Sequence, residues 1–155
     1  MTAAEQKLNQ YLLDIDLKLL CLYYKRDEDG NFIEDENGNR VNDYYQATAG
    51  MMAIGEGWYP LIQELIAELI KTDWDRDIHQ IKEKFGGLCF YIGSASEAVH
   101  KLVREYESKS YHICETCGEA GELRKDCGWG GSTWYKTMCD KHYLELKTER
   151  KDGYK

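Results

Sequence analysis

No stretch of this chain approaches the ~20 consecutive apolar residues needed to cross a bilayer. The start, Met1-Thr2-Ala3-Ala4-Glu5, has neither the basic nor the apolar region of a secretion signal. A cytoplasmic protein is the expectation. Positive charge is also scarce: 20 Lys and Arg face 28 Asp and Glu, a net charge of -8. The deficit is uneven, because residues 1–110 hold 20 acids and 12 bases while residues 111–155 hold 8 of each. An acidic surface is poorly suited to nonspecific DNA binding, which rests on phosphate neutralisation. Phosphate-loop motifs are missing too: Gly86-Gly87 stands in neither G-x-x-x-x-G-K-[ST] nor G-x-G-x-x-G. It reads as a tight turn. His79, His100 and His112 are isolated, and no nucleophile, base and acid stand together. The sequence thus points away from an enzyme.

What the chain does have is a split cysteine–histidine set. Cys114 and Cys117 form C-x-x-C, and Cys139 and His142 form C-x-x-H. Thiolate and imidazole are common zinc donors, and two such pairs supply the four ligands of a tetrahedral site. A full protein shell leaves no open position for substrate, so the expected role is one structural Zn2+. Gly118 relieves the turn after Cys117. Cys139-Asp140-Lys141-His142 precedes an expected C-terminal helix beginning with Tyr143 and Leu144. Knuckle, hairpin and C-x-x-H at a helix start resemble a treble-clef zinc module. Cys127 lacks a partner at two-residue spacing and reads as a free thiol, with an alternative ligand role left open; His112 is an alternative to His142. Cys21 and Cys89 lie in apolar runs and read as buried core thiols.

The remaining sequence reads in order as follows. Thr2 to Glu5 is a capping box. Leu8, Leu12, Ile15, Leu19 and Leu22 then recur at helical spacing, predicting a helix over 4–23. Residues 27–43 are acidic and turn-rich, with Asp29-Gly30 and Asn37-Gly38. They predict an exposed hairpin with strands at Phe32-Ile33 and Arg40-Val41. No EF-hand register fits: from Asp35 the sixth position is Arg40, and from Asp27 it is Phe32. Gly50 to Gly57 reads as a flexible approach to Trp58. Pro60 suits the first turn of a helix over 59–71 whose apolar face packs on a sheet. Residues 78–84 and Leu88–Ile92 predict a β-hairpin, with Leu88, Phe90 and Ile92 on one face and Cys89 and Tyr91 on the other. Ser94 to Glu97 is a second capping box before a helix over 95–109.

The expected architecture is α+β. Helices pack on a small antiparallel sheet in an acidic domain, 1–110, and the zinc module, 111–155, packs against it. Two binding surfaces present themselves. One is acidic, with Asp27, Glu28, Asp29, Glu34, Asp35 and Glu36. The other is the β-hairpin surface of Lys82, Lys84 and Tyr91. An alternative is a nucleic-acid surface in the tail, with Trp129 and Trp134 stacking on bases and Arg124, Lys125 and Lys136 meeting phosphate.

Gly57-Trp58-Tyr59-Pro60, the stretch Gln80-Ile81-Lys82-Glu83-Lys84-Phe85-Gly86-Gly87-Leu88-Cys89-Phe90-Tyr91, and the two ligand pairs resemble a family of small uncharacterised bacteriophage and prophage proteins. The similarity spans 57–142. Cys89 stands where that family commonly has arginine, which removes one base from the surface. The resemblance implies a phage accessory protein in the host cytoplasm. It implies a host or phage protein as partner, a defence-system component among them.

Overall fold

The computed structural model describes residues 1–152, apart from the side chains at 20–23. It is a mixed α+β chain. Helix α1 covers Ala3–Asp14 and strand β1 covers Lys18–Tyr24. Strand β2 is Asn42–Gln46, helix α2 Tyr59–Ile70, strands β3 and β4 Gln80–Lys84 and Gly87–Tyr91, and helix α3 Glu97–Ser110. Strands β5 and β6 are Glu122–Arg124 and Lys136–Met138, and helix α4 is Asp140–Glu149. The strands form three separate antiparallel pairs rather than one sheet.

The capping box at α1 is present in full: Thr2 accepts from the Glu5 N–H, and Glu5 accepts from the Thr2 N–H. The helix stops nine residues early, at Asp14 rather than 23. Asp16 takes a left-handed conformation, φ 49°, which a continuing helix does not admit. Leu17 and Leu19 are then buried on either side of exposed Lys18. That alternation suits a strand as well as the leucine spacing suited a helix. Pairing of Leu19 with Tyr45 and of Lys18 with Gln46 decides between them.

The acidic segment is not one hairpin but two successive turns. Asp27 Oδ1 accepts from the N–H of Asp29 and of Asn31, and Asp35 Oδ1 accepts from Asn37 and Asn39. Lys25, Ile33 and Val41 close a ring of backbone hydrogen bonds at eight-residue intervals. The Phe32 ring lies between the guanidinium groups of Arg26 and Arg40, 4.0 and 3.7 Å from its centroid.

Helix α2 begins at buried Trp58 with Pro60 in its first turn. Its main neighbours are α1 and α3 rather than a sheet. The approach to Trp58 contains two short 3-10 turns, Ala49–Met51 and Glu56–Trp58. The β3–β4 pair has the expected faces: Leu88 and Phe90 are buried, while Cys89 is half-buried and Tyr91 exposed. Cys89 is thus on the outer face, not in the core. The side chain of Cys21 lies outside the described residues. Helix α3 is capped by Ser96, not Ser94: its Oγ accepts from Val99 N–H and donates to Asp73 at 2.8 Å.

Glu107, on α3, accepts the Phe90 N–H. Burial raises its carboxyl above the ordinary value, against the lowering effects of that N–H and of Arg104. A folded pKa above the unfolded one means that the ionised form costs stability above both values. The cost vanishes as pH falls through the raised value. Glu107→Gln keeps an acceptor without the charge. It is expected to melt above the native protein at pH 7, with the gap closing near pH ~4. Melting curves at both pH values check this.

Candidate metal centre

The chain from Ile113 onward folds as knuckle, hairpin and helix. Its own buried cluster is small: Cys114, Cys127 and Met138, with Cys139, Tyr143 and Leu146 against it. So small a core needs a staple. Cys114 and Cys117 sit on a tight turn closed by Gly118 N–H to Cys114 O at 2.9 Å, with Gly118 at φ +80°. Cys139 is the N-cap residue of α4, and His142 lies in that helix's first turn. This brings the second pair opposite the first.

The ligand atoms of Cys114, Cys117, Cys139 and His142 all lie within 4.8 Å of one another. Cys117 Sγ and Cys139 Sγ are 3.8 Å apart. His142 Nδ1 is 3.8 Å from Cys114 Sγ and 3.2 Å from Cys139 Sγ. A tetrahedron with metal–sulfur bonds of about 2.3 Å has sulfur–sulfur edges of about 3.8 Å. The donor set and its spacing therefore fit a metal ion. Glu145 Oε2 stands 4.0 Å from His142 Nε2, on the side of the ring away from the cluster. Burial pushes the Cys114 thiol up, but the backbone N–H groups of Cys139, Cys117 and Thr116 outweigh it and hold it at about 6. The Glu119 N–H lowers the Cys117 thiol, yet burial and its neighbouring thiols leave it raised.

Cys127 is fully buried, lies outside the cluster, and has its thiol raised by burial. His112 is exposed and also outside it. Cys89, Cys114, Cys117, Cys127 and Cys139 are all unbridged.

The knuckle is stitched to the first part of the chain. Gly57 N–H donates to Glu115 O at 2.8 Å, and Trp58 Nε1 donates to Ile113 O at 2.8 Å. Thr137, fully buried, donates from Oγ1 to Gly86 O at 2.6 Å. The Gly57–Pro60 and Phe85–Gly87 segments are therefore the two seams against the tail.

The partner-binding candidates are scattered. Asp27, Glu28, Asp29, Glu34, Asp35 and Glu36 are all exposed, though Asp27 and Asp35 are engaged in their turns. Lys82, Lys84 and Tyr91 share the outer face of β3–β4, with Lys82 Nζ 5.8 Å from the Tyr91 ring centre. In the tail, Arg124 is committed: it donates to Met138 O and pairs with Asp140 at 2.7 Å. Lys136 lies in the electrostatic reach of Glu115. Trp129 is half-buried with Arg150 over its ring at 5.8 Å. Trp134 is 56% exposed and Lys125 is exposed. Sequence reading missed Phe85, a 67%-exposed ring next to Tyr135 at 6.3 Å.

No protein-family model matches the chain, and neither a curated protein nor a solved structure matches it.

Proposed function

We propose that this chain is a zinc-stapled binding protein. One structural Zn2+ is held by Cys114, Cys117, Cys139 and His142 in a treble-clef-like module, and an acidic surface takes a basic protein partner. The observation that carries the reading is the Cys3His set, whose four ligand atoms lie within 4.8 Å of one another. Four protein ligands leave no position for a reacting water, which favours binding over catalysis. The resemblance of residues 57–142 to phage and prophage proteins favours a host protein in the cytoplasm as partner, with a defence-system component as the leading class. Exposed carboxylates at Glu28, Asp29, Glu34 and Glu36 steer a basic surface by long-range attraction.

The test spares Asp27 and Asp35, which hold the turns. A variant carrying E28Q, D29N, E34Q and E36Q is compared with the native chain for association with the partner captured from phage-infected host cells. Rates are read at ~50 and ~200 mM salt. The variant is expected to associate more slowly at the lower salt and to lose most of the salt dependence, at unchanged metal content. Equal association rates with both proteins folded would remove the acidic surface from the mechanism.

A further inference from the structure

The segment 128–135 lines two neighbouring hollows of different chemistry. One, of about 400 Å³, has Phe85, Trp134 and Tyr135 in its wall, with Lys84, Glu83 and Thr133. The other, of about 220 Å³, is lined by Gly128, Gly130, Gly131, Lys147, Arg150 and Lys151. Gly131 and Thr133 line one hollow each and are two residues apart, at most about 7 Å along the chain.

The aromatic hollow is held open by close backbone contact. Phe85 and Gly86 form the β3–β4 turn with φ 52° and 82°. A Cβ on Gly86 would lie 2.5 Å from Leu123 and 3.2 Å from the Lys136 nitrogen. The glycine thus lets the hairpin tip sit directly on β5–β6. The consequence is that Phe85, at a φ that bulky residues avoid, is held out in solvent beside Trp134. The two rings are 67% and 56% exposed, respectively.

The second hollow is cationic. Lys147 donates to Asp126 Oδ2 and O, which uses two of its three protons. Arg150 donates from Nη1 to Cys127 O, while its buried Nε has no partner. Lys151 is exposed. Asp126 pairs with Lys147, so among the described lining residues Arg150 and Lys151 are the cations without a carboxylate partner, and the hollow is locally positive in a chain of net charge -8. Gly130 and Gly131, at φ 64° and 80°, form its rim. A side chain at Gly131 would begin 3.4 Å from Lys147 Nζ.

We infer that this face binds single-stranded nucleic acid. Bases stack on Trp134 and Phe85, and the adjoining phosphate lies against Lys147, Arg150 and Lys151, with Lys84 on the aromatic side. Stacking faces beside a positive track are what single strands need, and neither element reads base sequence. The surface differs from the tail surface expected from sequence, since Arg124 is committed to Asp140 and Met138 and Phe85 takes a place. It is also separate from the acidic turns, so its failure and the failure of the protein-binding reading are told apart by different variants.

The test uses the full, metal-loaded chain and labelled strands of about 15 nucleotides, dT and rU, with a duplex of equal length, at ~50 mM salt. Single strands are expected to bind in preference to the duplex. Trp134→Ala, at an exposed site, is expected to weaken binding roughly 10–100-fold. Lys151→Gln is expected to weaken it uniformly across sequences and to lower the salt slope by about 1. Phe85→Tyr, which keeps a stacking ring, is expected to bind as the native chain does. Absence of single-strand binding up to ~100 µM overturns the proposal. So does an affinity that Trp134→Ala leaves unchanged, or a Trp134→Ala defect confined to capture of the protein partner.

Discussion

Cys117→Ser is expected to lose the bound zinc and to unfold residues 111–152 while most of the first 110 residues stay folded. The local core contains three buried side chains, Cys114, Cys127 and Met138, far short of what an independent fold of that length needs. On the proposed zinc-stapled reading, metal binding supplies much of this segment's folding free energy. Loss of a direct thiolate ligand should exceed the 10–100-fold drop in affinity typical of outer-shell changes. Elemental analysis should give about one zinc per native chain and almost none for the variant. Hydrogen exchange should accelerate through 111–152 and also around Trp58 and Gly86, whose partners are Ile113 O and Thr137. Cys127→Ala is the control. That thiol is buried outside the cluster, so the variant keeps its metal. A Cys117→Ser protein with full metal content would overturn the ligand assignment.

Gly57→Ala is the second large effect. A Cβ at Gly57 would stand 2.2 Å from Cys114 O and 2.5 Å from Glu115 O. Both obstacles are backbone of the knuckle itself, so no side chain can turn aside. Across the same contact, a Cβ at Gly118 would meet Gly57 O at 3.1 Å. The two segments pass so closely that a single methyl must push them apart, breaking the Gly57–Glu115 and Trp58–Ile113 hydrogen bonds. Overpacking of this kind costs at least about 2 kcal/mol, or on the order of 5 °C in melting temperature. The two-part character gives the result a signature. Zinc should remain bound, because the ligands are untouched, while Trp58 fluorescence shifts to the red as its indole gains water. An unchanged melting curve would show that the seam is looser than its distances imply.

How legible each element was followed from how local its cause is. The helix after Pro60 and the hairpin around Gly86-Gly87 rest on spacing within a few residues, and so does the clustering of Cys114, Cys117, Cys139 and His142, whose side chains the structure brings together. The first helix ends short of the expected 23 because Leu19 fits both a helical and an alternating pattern. Only its pairing with Tyr45, a distant residue, settles the matter. The acidic segment offers two turn signals, Asp29-Gly30 and Asn37-Gly38, and one hairpin around the second does not use the first. The parallel use of Asp27 and Asp35 lies in an eight-residue repeat that hydrophobic periodicity does not report. Phe85 was invisible as a surface residue for a similar reason. Its exposure depends on where the hairpin tip meets β5–β6, a contact fixed by Gly86 against Leu123.

The Trp58 indole bond to Ile113 O has a further consequence in time. The two residues are 55 apart in the chain. At a synthesis rate of about 5–20 residues per second, the acceptor emerges roughly 3–11 s after the donor. Through that interval the Gly57-Trp58 turn carries an indole and a backbone N–H whose partners do not yet exist. The nascent chain therefore passes through a stage with a large aromatic side chain unsealed, and the last seal waits for Cys139 and His142 to leave the ribosome. On the proposed zinc-stapled reading, newly made protein should be most vulnerable to proteases when metal is scarce, long before a mature molecule would release the ion.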